Sequence, residues 1–296
     1  YALQDVYQGD GFFDNFNFFS AADPTHGFVK YLNHSEAVTH GLINTSSGVA
    51  VFGADGFNTI YDNSGRSSIR IESKKSYTHG LFIADISHMP GSLCGIWPAF
   101  WTLGSGEWPG NGEIDIIEGV NLNEVNAFTL HTSDVCIMNN TRETGTLETD
   151  NCAVSYSTTG CTGKASGNNT YGDGFNDIKG GVYAMQWTSQ FIKIWFFPRD
   201  SIPDSISRGA PEVSEFGTPQ ANFHGSCDID EHFKKHRIVF DTTFCGDFAG
   251  SVYHQSTCPQ VEGMDSMGSC IDYVKNNPSD YLDAFWSVNY IKVYEE

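Results

Sequence analysis

Short runs of β-branched and aromatic residues, each ended within a few positions by Gly, Asn, Asp, Pro or Ser, recur along the whole chain and constrain its fold more than any other feature. Such runs suit pleated strands, where branched and aromatic side chains pack against cross-strand neighbours. Residues 67–73 (SSIRIES) alternate polar with apolar, residues 182–187 and 191–197 flank Thr188-Ser189-Gln190 as a hairpin, and residues 287–294 form another alternating run. With 31 glycines and 14% aromatic residues, the pattern predicts an all-β protein of two packed antiparallel sheets. A length of 296 residues is compatible with one large sandwich domain spanning 1–296, since no repeat and no composition shift marks a linker.

Between these runs lie two long polar segments, residues 133–179 and 201–224, rich in Gly, Asn, Thr and Ser and without clear periodicity. They read as elaborated loops. Eight cysteines (Cys94, Cys136, Cys152, Cys161, Cys227, Cys245, Cys258, Cys270) occur without a C-x-x-C pair, which favours disulfides over zinc ligation. Sequons begin at Asn33, Asn44, Asn139 and Asn168. Together these features predict a secreted, extracellular glycoprotein, a mature and soluble chain whose signal peptide has been removed, acting as a monomer. A formal net charge of −20 opposes both nucleic acid and anionic membranes as partners, and no apolar run approaches a membrane span.

The most informative stretch is Gly112-Glu113-Ile114-Asp115-Ile116-Ile117-Glu118-Gly119 (GEIDIIEG). In a strand, Glu113 and Asp115 share one face while Ile114 and Ile116 share the other. Glu118 rejoins the acidic face only if one residue is inserted near Ile116 and Ile117, so the slip in the pattern predicts a β-bulge. With the bulge, the Cα atoms of Glu113 and Glu118 stand roughly 13 Å apart at about 3.3 Å per residue. Side chains leaning together over Asp115 would bring the carboxyls to about 5–6 Å, close to the roughly 5–5.5 Å of retaining glycosidases. Three acids so close should not all ionise with ordinary pKa values, which suits an acid and a nucleophile. Two other readings fit the same spacing: a solvated outer strand face, or a calcium site.

Upstream lie Cys94-Gly95-Ile96-Trp97-Pro98-Ala99-Phe100-Trp101 and Gly106-Glu107-Trp108-Pro109, placing three of six tryptophans within sixteen residues of Glu113. Aromatic faces beside carboxylates are what a carbohydrate cleft needs; a core reading remains available for each tryptophan, least of all for Trp108, which adjoins Pro109 in a glycine-rich loop. Here the chain resembles glycoside hydrolase family 16. GEIDIIEG matches the bulged form of the family signature E-[IL]-D-[IVAF]-[VILMF]-E, and WPAFW before it and NAFTLHT after it match the flanking blocks. The likeness runs from Asp23-Pro24-Thr25-His26-Gly27 through residues 191–199 and Thr243-Phe244-Cys245-Gly246-Asp247 to Asp272-Tyr273-Val274, and is greatest to the fungal endo-1,3(4)-β-glucanases.

That resemblance implies a concanavalin-like β-sandwich (a jelly roll) with a concave substrate cleft, retaining hydrolysis of β-glucans and no cofactor. It implies Glu113 as nucleophile, Glu118 as general acid and base, Asp115 as assisting residue, and Arg70, Trp97, Trp101, Trp108 and His131 as sugar contacts. Its substrates would be β-1,3 and mixed-linkage glucan polysaccharides and oligosaccharides. A β-glucan transglycosylase and a non-catalytic glucan-binding lectin are the alternatives. The chain departs from many relatives in carrying Gln186 rather than glutamate before Trp187, and from one close relative type in carrying Phe248 rather than tryptophan after Cys-Gly-Asp.

Overall fold

The computed structural model describes residues 1–155 and 157–296. Two eight-stranded antiparallel sheets dominate it, the two-sheet sandwich that the strand pattern predicts and that the family resemblance implies in jelly-roll form. One sheet runs in the order Thr146–Leu147, Cys161–Lys164, Ala127–His131, Glu113–Glu118, Ile96–Leu103, Arg237–Phe244, Arg70–Ser73 and Phe16–Phe18. The other is built on Gly80–His88, flanked by Gly181–Trp187 and Ile192–Pro198 on one side and by Phe285–Glu295 on the other. Strands from both ends of the chain pair directly, Ala2–Gln8 with Phe285–Glu295. Among the described residues no helix is long and apolar enough to cross a membrane.

Alternation decides which side chains fill the space between the sheets. Ile114, Phe128, Leu130, Phe100, Ile238 and Phe240 point inward from the first sheet and are buried with Phe52, Phe82, Met185, Ile194 and Trp286 of the second. Phe240 stacks on Phe100 with centroids 4.3 Å apart and meets Phe52 at 5.5 Å and Trp286 at 5.2 Å across the sandwich. Truncating such a buried ring typically costs about 3–5 kcal/mol, so this cluster fixes the spacing of the sheets.

The predicted hairpin is present, with Trp187 opposite Ile192 at the turn end and Gly181 opposite Pro198 at the far end. Residues 67–73 differ from the simple alternating strand. Arg66–Ser68 pairs in parallel with Val29–Tyr31, while Arg70–Ser73 pairs with Arg237–Phe244, and the polar residues at 68, 70, 72 and 73 are as buried as the isoleucines. Arg70 and Glu72 pair with each other, and Ser68, Glu72 and Ser73 also meet Thr242, Arg237 and Ile238 on the neighbouring strand, contacts that local periodicity could not reveal.

The long polar segments carry more structure than loops. Within residues 133–179, two short strands extend the first sheet and a helix spans Gly172–Asp177, with bridges Cys136–Cys227 and Cys152–Cys161 tying the segment down. Residues 201–224 lay Ile206 and Phe216 over Leu81, Ile83, Val182, Ala184, Trp195 and Phe197, covering the outer face of the second sheet. Cys94–Cys258 and Cys245–Cys270 complete four disulfides and leave no free cysteine. They brace a satellite core at one end of the sandwich around the Ser266–Asn276 helix. All four sequon asparagines are exposed.

Candidate active site

Residues 201–224 cover part of the second sheet's outer face, whereas the outer face of the first carries the acidic strand Glu113–Glu118 near its middle. Pairing places Glu113 between Leu103 and His131, Asp115 between Trp101 and Thr129, and Glu118 between Ala99 and Ala127. Register slips on both sides between Asp115 and Glu118, so the bulge expected from the sequence is present. It returns Glu118 to the face of the other two acids while Ile114, Ile116 and Ile117 stay buried.

Each glutamate is held by a different indole. Trp108 donates its Nε1–H to Glu113 Oε2 at 2.7 Å, and Trp97 donates to Glu118 Oε1 at 2.9 Å. Trp108 stands 48% exposed on its loop, available for stacking. Asp115 is 2% exposed, which removes the solvated-face reading. His131 sets its Nε2 at 3.2 Å from Asp115 Oδ2 and 3.7 Å from Glu113 Oε1, so it touches the acids themselves. Gly160 allows this approach, because a Cβ there would lie 2.7 Å from His131 Nδ1. Ligand atoms of Glu113, Asp115 and His131 fall within 4.8 Å of one another, but one imidazole and two carboxylates on a hydrogen-bonded strand give calcium too few oxygens.

Burial is the first cause of the perturbed acidity. It drives Glu113 well above the usual carboxylate range, with the Asp115 charge adding to it and His131 and the Trp108 N–H opposing. Asp115 is also raised well above its ordinary value, by burial and then by the Glu118 charge. Glu118 is raised by burial, against the pull of the Trp97 N–H and His131. The repulsion suggested by the sequence thus ranks second to desolvation at Glu113 and Asp115 and does not lead at Glu118. The three titrate as a set, retaining protons to higher pH than free carboxylates do.

Beyond them, Trp101 donates to Asp241 Oδ1 at 2.9 Å, and Tyr31 donates its hydroxyl to Oδ2 at 2.8 Å. Arg70 lies on the cleft side, as alternation suggests, but is 5% exposed. Its guanidinium sits 5.1 Å from the Trp101 ring centroid and 4.4 Å from that of Phe19, and it donates to Glu72 Oε1 at 2.9 Å. Arg237 meets the other Glu72 oxygen at 3.2 Å. Arg70 therefore supports Trp101 from beneath. Burial lifts Asp241 to about 6 in spite of Arg70, Tyr31 and Trp101. Asp241, Glu72, Tyr31 and Arg237 escaped the sequence reading; the one available signal was Asp241 itself, a lone acid in the apolar run Ile238-Val239-Phe240-Asp241. Gln186 is remote from these acids, in the second sheet, and donates to the Tyr1 hydroxyl at 2.7 Å. Phe248 stands edge-on to Trp97 with centroids 5.5 Å apart.

Comparison with known proteins gives one consistent result. A family model described as "XgeA-like, catalytic GH16 domain" matches residues 16–294. A probable endo-1,3(4)-beta-glucanase of Neosartorya fischeri is 50% identical over 298 residues, covering 100% of this chain and 46% of that protein. The endo-1,3(4)-beta-glucanase xgeA of Emericella nidulans is 47% identical, with 100% and 47% covered. This chain thus spans about half the length of these curated relatives. Among solved structures, an elongating GH family 16 beta-1,3-glucosyltransferase superposes with TM-score 0.95 at 50% identity, covering 99% of each chain. Laminarinase 16A of Phanerochaete chrysosporium, with beta-glucans in both donor and acceptor sites, gives 0.92 at 42% identity, covering 100% of this chain and 99% of that one.

Proposed function

The chain belongs to glycoside hydrolase family 16, and from that premise we propose that it is a retaining, endo-acting β-glucanase that cleaves β-1,3 and mixed β-1,3-1,4 glucans. Residues 1–296 act as one catalytic domain. The observation that carries this reading is the pair of glutamates on one strand face, each held by its own indole N–H on either side of Asp115. Four disulfides support a secreted enzyme.

In the first step Glu118 gives its proton to the glycosidic oxygen as the bond to the anomeric carbon breaks, and Glu113 forms a covalent ester with that carbon from the opposite face. Water then enters, Glu118 takes its proton, and the ester is cleaved with net retention. Asp115 and His131 hold Glu113: Asp115 hydrogen-bonds to it and His131 Nε2 lies 3.7 Å from it, so both fix the orientation of the carboxylate that departs in the second step. Trp97, Trp101 and Trp108 supply stacking surface for sugar rings.

NMR of the first product from laminarin tests the stereochemistry, and azide added to Glu113→Ala tests the nucleophile. A β product and an azide-dependent recovery as an inverted glycosyl azide are expected; an α product, or near-normal activity of the alanine variant, would refute the assignment. A second reading is glucosyl transfer, favoured by the likeness to the elongating glucosyltransferase. It shares the ester intermediate and differs only in whether a sugar hydroxyl or water arrives second. Oligosaccharides longer than the supplied laminarihexaose would mark it.

A further inference from the structure

A bulge leaves backbone groups without ladder partners, and buried groups of that kind are costly unless something else satisfies them. Here pairing to the Ala127–His131 strand jumps from Asp115↔Thr129 to Glu118↔Ala127, three residues on one side against two on the other. The displaced groups are the Ile116 carbonyl and the Glu118 N–H. Both are met by one side chain, that of Asn126, which is fully buried at 0% exposure. Its Oδ1 accepts from Glu118 N at 3.0 Å and its Nδ2 donates to Ile116 O at 2.8 Å. Asn126 is itself anchored: its N–H donates to Thr170 Oγ1 at 3.1 Å and its carbonyl accepts from Ala165 N at 2.9 Å.

We infer that Asn126 is the positioning residue of the general acid, acting as a substitute peptide group that sets the backbone, and so the aim, of Glu118. The inference rests on the proposed role of Glu118. Only a carboxamide offers a donor and an acceptor side by side, which is what the two displaced groups require. Aspartate lacks the donor, glutamine carries an extra methylene, and serine can satisfy one group alone. The same bond aims the side chain onward, since the Glu118 carboxyl must still meet the Trp97 indole at 2.9 Å.

The test compares kcat/KM on laminarin, whose leaving group needs protonation, with kcat/KM on 2,4-dinitrophenyl β-laminaribioside, whose leaving group does not. Asn126→Ala should lower the first about 10²-fold, the low end of what general acid catalysis contributes, with KM little changed, and lower the second less than about threefold. In a Glu118→Gln background Asn126→Ala should have almost no further effect on laminarin, because the two act through one group. Asn126→Ser supplies the same comparison if the alanine chain does not fold. Equal losses on both substrates, or an additive loss in the double variant, would overturn the role of Asn126 while leaving Glu118 as the acid. If Glu118→Gln alone shows no dependence on the leaving group, the acid assignment fails and the inference falls with it.

Discussion

Replacing Trp97 with phenylalanine tests the division of labour between the two glutamates without touching either. The substitution keeps an aromatic ring and removes one N–H, the donor that meets Glu118 Oε1 at 2.9 Å and holds its acidity down against burial. A hydrogen bond to a charged group contributes on the order of 1.5–3 kcal/mol, and water entering the open side of the cleft recovers part of that. A net change of about 1.4 kcal/mol corresponds to about one pH unit. The sign is upward, because the lost donor favoured the ionised carboxylate. In the bell-shaped profile of kcat/KM the basic limb reports the group that must be protonated in the free enzyme. Trp97→Phe should therefore carry that limb to higher pH by about one unit, with the acidic limb nearly still. Trp108→Phe removes the donor to Glu113 at 2.7 Å and should instead raise the acidic limb, narrowing the active range. Initial rates on a soluble laminari-oligosaccharide from pH 3 to pH 9 provide the measurement. If Trp97→Phe moves the acidic limb and Trp108→Phe the basic one, the acid and nucleophile are interchanged; if neither limb moves, the indoles do not control ionisation.

Asp241 is raised from 3.8 to about 6, so the folded state keeps its proton longer than the unfolded chain does. That contribution is present below about pH 4 and lost as pH rises through 6, about 3 kcal/mol at 1.36 kcal/mol per unit. Asp241→Asn should flatten the urea-unfolding free energy over that window by about this amount relative to the parent; parallel curves would refute the shift. Gly119→Ala would set a Cβ 2.6 Å from Tyr171 Cζ directly after Glu118. About 1–3 kcal/mol of stability should be lost by overpacking, with kcat falling more than KM rises, as melting and steady-state rates would reveal. Arg70→Met leaves Asp241 without its nearby cation and Glu72 with Arg237 alone, and should cost about 3–5 kcal/mol of unfolding free energy. A cost below 1 kcal/mol would mean that the buried acids are neutral without it.

Parts of this architecture are legible in the chain because they are local. Alternation in residues 287–294 announces a strand, the three polar residues between the runs at 182–187 and 191–197 announce a hairpin, and the single slip in GEIDIIEG announces a bulge. An even cysteine count predicts disulfides, but pairings such as Cys94–Cys258 join segments 164 residues apart and depend on the finished fold. The supports of the site are hidden for the same reason. Tyr31 reaches Asp241 across 210 positions, and Asn126 reads as a turn residue ahead of a strand until the gap it fills is visible. Desolvation is equally invisible, since strand spacing yields only an expected separation for Glu113 and Glu118 and says nothing of the walls around them.

The bulged strand lies at the centre of its sheet, with three strands beyond it on one side and four on the other. Sheets fray from their edges, so the amide of Glu118, donated to Asn126, should exchange with solvent only in the rare events that open most of the molecule. Its deuterium uptake would then serve as a gauge of global opening. Evolution inherits a related freedom: the loops at the rim can diverge and retune what the cleft grips, while the chemistry is carried by an irregularity that the fifteen other strands of the two sheets would have to loosen before it could drift.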